Sequence, residues 1–165
     1  MGRNSLTQHD LKLIVHYASD TGIFTFTQRV CNRLQVGAVA GSEKTDGYRM
    51  ISIKGKKYFA HRLAWLYEYG RFPKGQIDHI DGNKSNNKIS NLRDVCQSIN
   101  QQNRRKARSN SLCGLLGVTS TPNGTYKARI RLDGVQYYLG STKTPEEAHK
   151  LYLEAKRKLH IGFIE

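Results

Sequence analysis

Four polar residues of this 165-residue chain have the types and the spacing needed to hydrolyse a phosphodiester bond. Asp78 and His79 are adjacent, and Asn91 and Asn100 follow them in order. An imidazole titrates near neutral pH, so His79 can act as the general base that activates a water molecule. Asp78 offers a hard carboxylate ligand for Mg²⁺ or Mn²⁺, and Asn100 can supply a second oxygen. Asn91 can hydrogen-bond across the intervening loop and orient His79.

Each of these residues also has a purely structural interpretation. Asp78 can cap a turn, Asn91 can satisfy loop backbone groups, and Asn100 can be a solvated helix residue. Taken singly, the structural interpretation is preferred for all three, whereas for the histidine the two interpretations weigh equally. A calcium-binding EF-hand loop that starts at Asp81 is excluded, because the required Gly and Glu are absent from their positions.

Local sequence patterns predict the elements that position these residues. Residues 77–80 are expected to form a short strand, residues 91–95 the returning strand, and a helix opens near Ser98. Alternating segments between residues 22 and 57 indicate a β-rich entry. The stretch HRLAWLYEYG, residues 61–70, has helical apolar spacing and ends in a glycine, which is typical of a packed helix.

The ordered polar residues resemble the HNH nuclease family, over about residues 20–105. The motifs that carry the resemblance are Asp78-His79, Asp81-Gly82-Asn83, Asn86-Asn87, Asn91-Leu92-Arg93, the segment 98–104, Gly47-Tyr48-Arg49 and His61-Arg62-Leu63-Ala64. The upstream motifs look like the phage and homing subgroup. The resemblance implies a ββα-metal fold and a bound Mg²⁺ or Mn²⁺.

The same resemblance assigns a role to each polar residue of the set. His79 becomes the general base, Asn91 the orienting residue, and Asp78 with Asn100 the metal ligands. Many members have a histidine where this chain has Asn100, so an oxygen-ligated ion is favoured here. Asn103 is kept as an alternative ligand.

Two arginines and one further histidine have two interpretations each. Arg93 and Arg104 can hold the scissile phosphate or be surface charges. Arg104 is the preferred phosphate contact, because it is expected one turn beyond Asn100 on the same helix. His61 opens the expected core helix, so a structural role is preferred for it over a contact with phosphate.

A three-stranded sheet with one helix across its back is predicted for the C-terminal part. Apolar and basic residues alternate in 126–132, and Asp133-Gly134 is a hairpin turn signal. Thr144 and the Pro and acids that follow it indicate a helix start. The apolar face of the second hairpin strand is expected to comprise Val135, Tyr137 and Leu139. The free face is expected to contact DNA through Thr119, Thr121, Lys127, Arg129, Arg131, Gln136 and Tyr138.

The stretch GVTSTPNGTYKARIRLDGVQYYLGSTKTPEEA resembles the ethylene-response-factor (Apetala-type) DNA-binding domain, over about residues 114–160. Its specific elements are Tyr-Leu-Gly, Thr-x-Glu-Glu-Ala and Ala-Arg-Ile-Arg. The resemblance implies that the sheet reads double-stranded DNA. Plant members have arginines where this chain has Thr119 and Thr121, so a different base preference and a lower affinity are expected. An ordinary solvated sheet face is the alternative.

The formal charge of +14 favours a polyanionic partner, although a merely soluble basic surface would have the same charge. The basic residues of the segment 101–113, which is expected to follow a DNA backbone, are Arg104, Arg105, Lys106 and Arg108. We therefore expect a nuclease domain over 1–105, a basic linker over 106–113 and a DNA-binding domain over 114–165.

Three cysteines without CxxC spacing indicate neither a disulfide framework nor a thiolate zinc site. No signal peptide or membrane-spanning stretch is evident, so a cytoplasmic protein is expected, in a bacterial host if a phage encodes it. The predicted fold class is α+β, a ββα-metal domain with a β-rich entry followed by a small antiparallel sheet packed on one helix.

The expected function is a metal-dependent DNA endonuclease, nicking or site-preferring, that acts as a monomer or weak dimer. A catalytically silent DNA-binding regulator of phage type is the alternative. A protein that binds or cuts RNA ranks lowest, because only Tyr138 is a clear stacking platform.

Overall fold

The computed structural model describes residues 6–29, 35–107 and 111–163. Contacts within the chain divide it into two compact units, the first ending at Val95 and the second beginning at Cys96. The limits predicted from sequence, with a linker over 106–113, remain predictions. Among the described helices, none is long and apolar enough to cross a membrane.

The first unit mixes helices with small antiparallel sheets. Its helices are α1 (Gln8–Ile14) and α2 (Ala60–Tyr69), and its strands are β1 (Val15–Ala18), β2 (Ile23–Phe26), β3 (Ser42–Glu43), β4 (Arg49–Ile53), β5 (Lys56–Phe59), β6 (Gln76–His79) and β7 (Leu92–Val95). Strand β1 pairs with β2, β4 lies between β3 and β5, and β6 pairs with β7. A 3-10 turn, Ile89–Asn91, precedes β7. Three predicted features are present: the β-rich entry, the packed helix α2, and two strands, β6 and β7, joined by a loop.

Helix α2 packs on the core of this unit. Leu63, Ala64 and Leu66 are buried because spacings of three and four residues place them on one side of the helix. Gly70 ends the helix in the left-handed conformation, with φ of 71°, and its N–H donates to the carbonyl of Leu66. Other residues of this core are Leu11, Val15, Phe24, Ala40, Ile51, Ile53 and Ala60.

The β6–β7 hairpin sets the register of the polar residues. Asp78 pairs with Arg93 and His79 pairs with Leu92. Because neighbouring strand residues alternate between faces, Asp78 and His79 point to opposite sides of the hairpin. Both residues are nevertheless buried, and Asp78 is 6% and His79 5% exposed.

The second unit opens with helix α3 (Gln97–Gln102). The predicted helix near Ser98 is present, but it begins one residue earlier, since Cys96 is the N-cap and Gln97 is already helical. The helix ends at Gln102, whose side-chain oxygen accepts a hydrogen bond from the backbone N–H of Gly162 at 2.9 Å.

The rest of the second unit is a three-stranded antiparallel sheet with one helix, as predicted. Its elements are β8 (Val118–Ser120), β9 (Tyr126–Leu132), β10 (Val135–Thr142) and α4 (Pro145–Leu159). Strand β9 lies in the middle. Asp133 and Gly134 have φ of 48° and 84°, which fits a hairpin turn of type I′. Thr144 caps α4, since its hydroxyl accepts from the N–H of Glu147.

The apolar face of β10 differs from the prediction. Val135 and Tyr137 are about half exposed, at 54% and 48%, and a bulge between Tyr138 and Gly140 interrupts the alternation of the strand. Among the residues of the small core are Val118, Ala128 and Ala148, with Leu139 and Leu151 packed against them.

Candidate active site

His79 lies at the end of β6 in an almost fully buried position. Its ring packs against those of His61 and Tyr48, with centroid distances of 5.2 and 6.0 Å. Burial lowers the pKa of His79, partly opposed by a hydrogen bond with Asn87 and by the charges of nearby carboxylates. The imidazole is therefore neutral near pH 7 and can accept a proton.

Asp78 forms a buried ion pair with its cross-strand neighbour Arg93. The Nε and Nη2 atoms of Arg93 lie 2.8 and 2.6 Å from Oδ2 of Asp78. Only 7% of the Asp78 side chain and 20% of the Arg93 side chain are exposed. Arg93 is therefore not the free surface charge considered from sequence, and it holds the Asp78 carboxylate in one position.

Asn91 closes the loop between β6 and β7. Its side-chain oxygen accepts from the N–H of Asp81 at 3.0 Å, and its Nδ2 donates to Oδ1 of Asp81 and to the carbonyl of Asn86, both at 2.9 Å. The bond across the loop is as expected, but both amide atoms are engaged by loop groups. Asn91 thus orients the loop that follows His79, and its part in catalysis remains a prediction.

The asparagines behind Asp81 hold the loop in a defined shape. The Asp81 carboxylate accepts from the N–H of Asn83 at 2.8 Å and from Nδ2 of Asn86 at 2.7 Å, and Asn83 in turn accepts from the N–H of Ser85. Burial raises the pKa of Asp81, but the hydrogen bonds from Asn86, Asn83 and Asn91 outweigh it and lower the pKa on balance. A charged Asp81 at the centre of the loop explains why asparagines follow at these positions.

Asn87 is the residue of this region that sequence reasoning missed. It is 1% exposed, and its Oδ1 lies 3.3 Å from Nε2 of His79. Asn86-Asn87 was noted as part of a motif. The local sequence pattern, however, does not distinguish an asparagine that contacts the histidine from an ordinary loop asparagine.

His61 supports the ring of His79 from α2. It is 7% exposed and stacks on Phe59, with 5.3 Å between ring centroids. Burial lowers the pKa of His61 to about 3, with smaller contributions from His79 and Arg62. A neutral, buried ring agrees with the structural role that was preferred from sequence.

The remaining residues predicted for the active site belong to the second unit. Asn100 lies in α3 and is half-buried, and Asn103 follows the helix and is 4% exposed. Arg104 was predicted to lie on the same helix as Asn100. This prediction was wrong, because α3 ends at Gln102. The carbonyl of Arg104 accepts a hydrogen bond of 2.6 Å from the buried Lys156.

The donor atoms fit a hard metal ion better than a soft one. Asp78 offers a carboxylate, and Asn100 or Asn103 offers an amide oxygen, which are ligands that suit Mg²⁺ and Mn²⁺. The described residues contain no group of three or more His, Cys, Asp and Glu that could hold a metal, and no thiolate set.

The free face of the C-terminal sheet brings most of its predicted residues together. Across β9 and β10, Arg129 pairs with Tyr138 and Arg131 pairs with Gln136. On the other side of β9, Lys127 pairs with Thr119. Tyr138 is 60% exposed, as a surface aromatic available for contact.

Thr121, Arg105 and Lys106, also predicted to contact DNA, differ in setting from this face. Thr121 was expected in the first strand, but it lies beyond the end of β8. Its hydroxyl forms a hydrogen bond with the hydroxyl of Thr125. Arg105 and Lys106 are exposed in the segment after α3. Arg108 lies outside the described residues.

Comparison with known proteins identifies the family. A family model described as HNH endonuclease matches residues 58–102, which include β6, β7 and α3. The DNA endonuclease I-HmuI of Bacillus phage SP01 is 33% identical over 103 residues, which cover 59% of this chain and 59% of I-HmuI. Protein 3.8 of Escherichia phage T7 is 32% identical over 105 residues, which cover 62% of this chain and 85% of that protein.

A solved structure of DNA binding and cleavage by the HNH homing endonuclease I-HmuI is also similar. The TM-score is 0.42 and the identity 29%, over 55% of this chain and 51% of that chain. The chain thus spans little more than half the length of I-HmuI. The family match and the phage relatives together place it: the chain belongs to the HNH endonuclease family and has an HNH domain of the phage homing type.

Proposed function

We propose that this chain is a metal-dependent DNA endonuclease that hydrolyses phosphodiester bonds and that nicks DNA or prefers particular sites. The observation that carries the proposal is the pair at the end of β6, a buried neutral His79 next to a carboxylate held by Arg93. The similarity to the DNA endonuclease I-HmuI supports DNA as the substrate.

His79 acts as the general base in this proposal. A neutral imidazole takes a proton from the water molecule that attacks the phosphorus atom, and the pKa lowered by burial keeps it neutral at physiological pH. The loop closed by Asn91 and Asp81 keeps the chain after His79 in one conformation, so the ring needs no rearrangement before it accepts the proton.

HNH endonucleases generally use a divalent metal ion, and we propose Mg²⁺ or Mn²⁺ here. Asp78 and Asn100 would hold the ion, with Asn103 as the alternative to Asn100. When bound, the ion would neutralise charge that develops on the phosphate and on the leaving oxygen. Arg93 would fix the Asp78 carboxylate for this purpose, because its Nε and Nη2 atoms both contact Oδ2. Arg104 would contact the scissile phosphate.

We further propose that the second unit binds double-stranded DNA as an Apetala-type domain. The face formed by β8, β9 and β10 presents Lys127, Arg129 and Arg131 next to Gln136 and Tyr138. Cations of this kind contact phosphates, whereas amide and aromatic side chains can reach base edges. We propose further DNA contacts for residues of the second unit, namely Thr119, Thr121, Arg105, Lys106 and Arg108. Arg93 of the first unit is also proposed to contact DNA. A net charge of +14 is consistent with such a polyanionic partner.

A plasmid-nicking assay tests the proposed activity. Wild-type protein should convert supercoiled DNA to the nicked form with Mg²⁺ or Mn²⁺ and not with EDTA, and His79→Ala should bind DNA normally without cutting it. A wild-type protein that retains DNA but never cuts it would instead indicate a catalytically silent DNA-binding regulator.

A further inference from the structure

The amide of Asn87 lies between the loop and the ring of His79. Its Oδ1 is 3.3 Å from Nε2 of His79, and 1% of the residue is exposed. This distance is slightly longer than a standard N–H···O bond, as is common for catalytic contacts in the absence of substrate. A buried asparagine that hydrogen-bonds to the proposed base can determine which ring nitrogen of His79 carries the proton.

The second contact of the Asn87 amide fixes its orientation. Its Nδ2 lies 3.1 Å from the carbonyl oxygen of Ser85, which can only accept a hydrogen bond. The amide nitrogen therefore faces Ser85 and the amide oxygen faces His79. Since an amide oxygen only accepts, Nε2 of His79 must donate, and the lone pair of the neutral ring is on Nδ1.

The backbone of Asn87 is held by the N-terminal hairpin, formed by β1, β2 and the turn 19–22. The hydroxyl of Tyr17 donates to the carbonyl of Asn87 at 2.7 Å. At the turn, Gly22 has φ of 75°, and a Cβ there would lie 2.5 Å from the carbonyl carbon of Asn87 and from the N atom of Lys88. Only glycine allows the hairpin to lie this close to Asn87.

Tyr17 itself has little freedom to move. It is 4% exposed and packs on Phe24 and Tyr67, with 4.6 and 5.6 Å between ring centroids. Burial raises the pKa of Tyr17, so the hydroxyl remains protonated and donates at all moderate pH values. The hairpin thus holds the Tyr17 hydroxyl in a fixed position, where it donates to the carbonyl of Asn87, 70 residues later in the chain.

We propose that Asn87 is a positioning residue that holds His79 in the tautomer protonated on Nε2, and that the N-terminal hairpin holds Asn87 through Tyr17 and Gly22. The inference rests on the proposed role of His79 as the base. The hairpin precedes residues 58–102, which match the family model, so in this chain a segment before the matched region supports the catalytic ring.

The test combines histidine-ring NMR with single-turnover cleavage. In ¹⁵N-labelled protein at mildly alkaline pH, long-range ¹H–¹⁵N correlations should show His79 as the pure Nε2–H form, with the signal assigned by its loss in His79→Ala. Asn87→Leu, which keeps the side-chain shape, should give a mixture of both neutral forms. Its cleavage rate should fall about 100-fold with unchanged DNA binding.

Tyr17→Phe is the milder variant, and it removes a single hydroxyl. It should slow cleavage about 5-fold through loosening of Asn87. Tyr67→Phe is its matched control, because it removes a hydroxyl from the same aromatic cluster, and it should cleave at the wild-type rate.

The two readouts separate this inference from the proposed function. A pure Nδ1–H form in the wild type, or an unchanged tautomer and rate in both Asn87→Leu and Tyr17→Phe, would overturn the role of Asn87. A pure Nε2–H form that is lost in Asn87→Leu supports that role even if the wild type cuts no DNA, a result that would overturn the proposed function alone.

Discussion

Asp78 and Arg93 face each other across the β6–β7 hairpin, and two nitrogen atoms of the guanidinium contact one carboxylate oxygen at 2.6 and 2.8 Å. A carboxylate that is almost fully buried requires such a partner, because desolvation of an unpaired charge is costly. The pair therefore gives the proposed metal ligand a fixed position and also makes the hairpin sensitive to the loss of either charge.

Removal of the Arg93 charge should destabilise the first unit. Arg93→Met leaves the Asp78 carboxylate buried without its partner, which we expect to lower the free energy of unfolding by about 3 kcal/mol. Urea denaturation followed by circular dichroism measures this change. Lys44→Met is the control, since it breaks an exposed pair with Asp46 and should have a much smaller effect. Equal losses of unfolding free energy in both variants would show that the buried ion pair stabilises the protein no more than the exposed pair does.

Asn91 should matter more to the loop than its exposed neighbours. Asn91→Ala removes three hydrogen bonds, two of them with Asp81, and should lower the free energy of unfolding by about 3 kcal/mol. Asn83→Ala, at an exposed position of the same loop, should cost about 0.5 kcal/mol. The same denaturation experiment compares them. If the order were reversed, Asn91 would not be the residue that closes the loop.

The buried His61 should make stability depend on pH. Its pKa is about 3 in the folded protein, against 6.5 for the unperturbed group. Between these values the unfolded chain binds a proton that the folded chain does not, so stability is full above pH 6.5 and is lost as the pH falls. From pH 7.5 to 4.5 this single group should remove about 2–3 kcal/mol of unfolding free energy.

His61→Phe isolates that contribution from those of other groups. The variant has no proton to bind at this position, so its stability should decline less steeply than that of the wild type over the same pH range. Denaturation midpoints at several pH values give both curves. Parallel curves would mean that His61 is not held neutral by the fold.

The sequence patterns predicted elements whose causes are local. Alternation predicted β6, β7 and β9, helical spacing with Gly70 predicted α2, and Asp133-Gly134 predicted the hairpin turn. In each case the pattern reflects a face that must be buried or a φ angle that few residues adopt. The same locality made Asp78 and His79 recognisable as neighbours in the strand.

Contacts between distant segments could not be predicted in this way. The hydrogen bond of Tyr17 with Asn87 joins residues 70 positions apart, and the pairing of Arg93 with Asp78 depends on the hairpin register. Errors at element ends had similar causes. Arg104 lies two residues past the end of α3, and Thr121 lies one residue past the end of β8. Sequence patterns do not fix the ends of such short elements to within one or two residues.

The basic face of the C-terminal sheet should account for part of the affinity for DNA. Arg129→Ala combined with Arg131→Ala should weaken binding and reduce the slope of log affinity against log salt by about 1.8, if each arginine neutralises one phosphate. Lys150→Ala with Lys158→Ala removes two exposed cations of α4 and should change the slope less. Fluorescence anisotropy at several salt concentrations measures both. Unchanged binding by the arginine pair would exclude this face as the docking surface.

The central claim is that the ring of His79 takes a proton during DNA cleavage, and chemical rescue tests it most directly. Single-turnover cleavage of plasmid DNA would be followed for wild-type protein and for His79→Gly, with and without added imidazole. We predict a loss of at least about 100-fold in His79→Gly and a partial, concentration-dependent recovery with imidazole. Cleavage by His79→Gly at the wild-type rate would contradict the account.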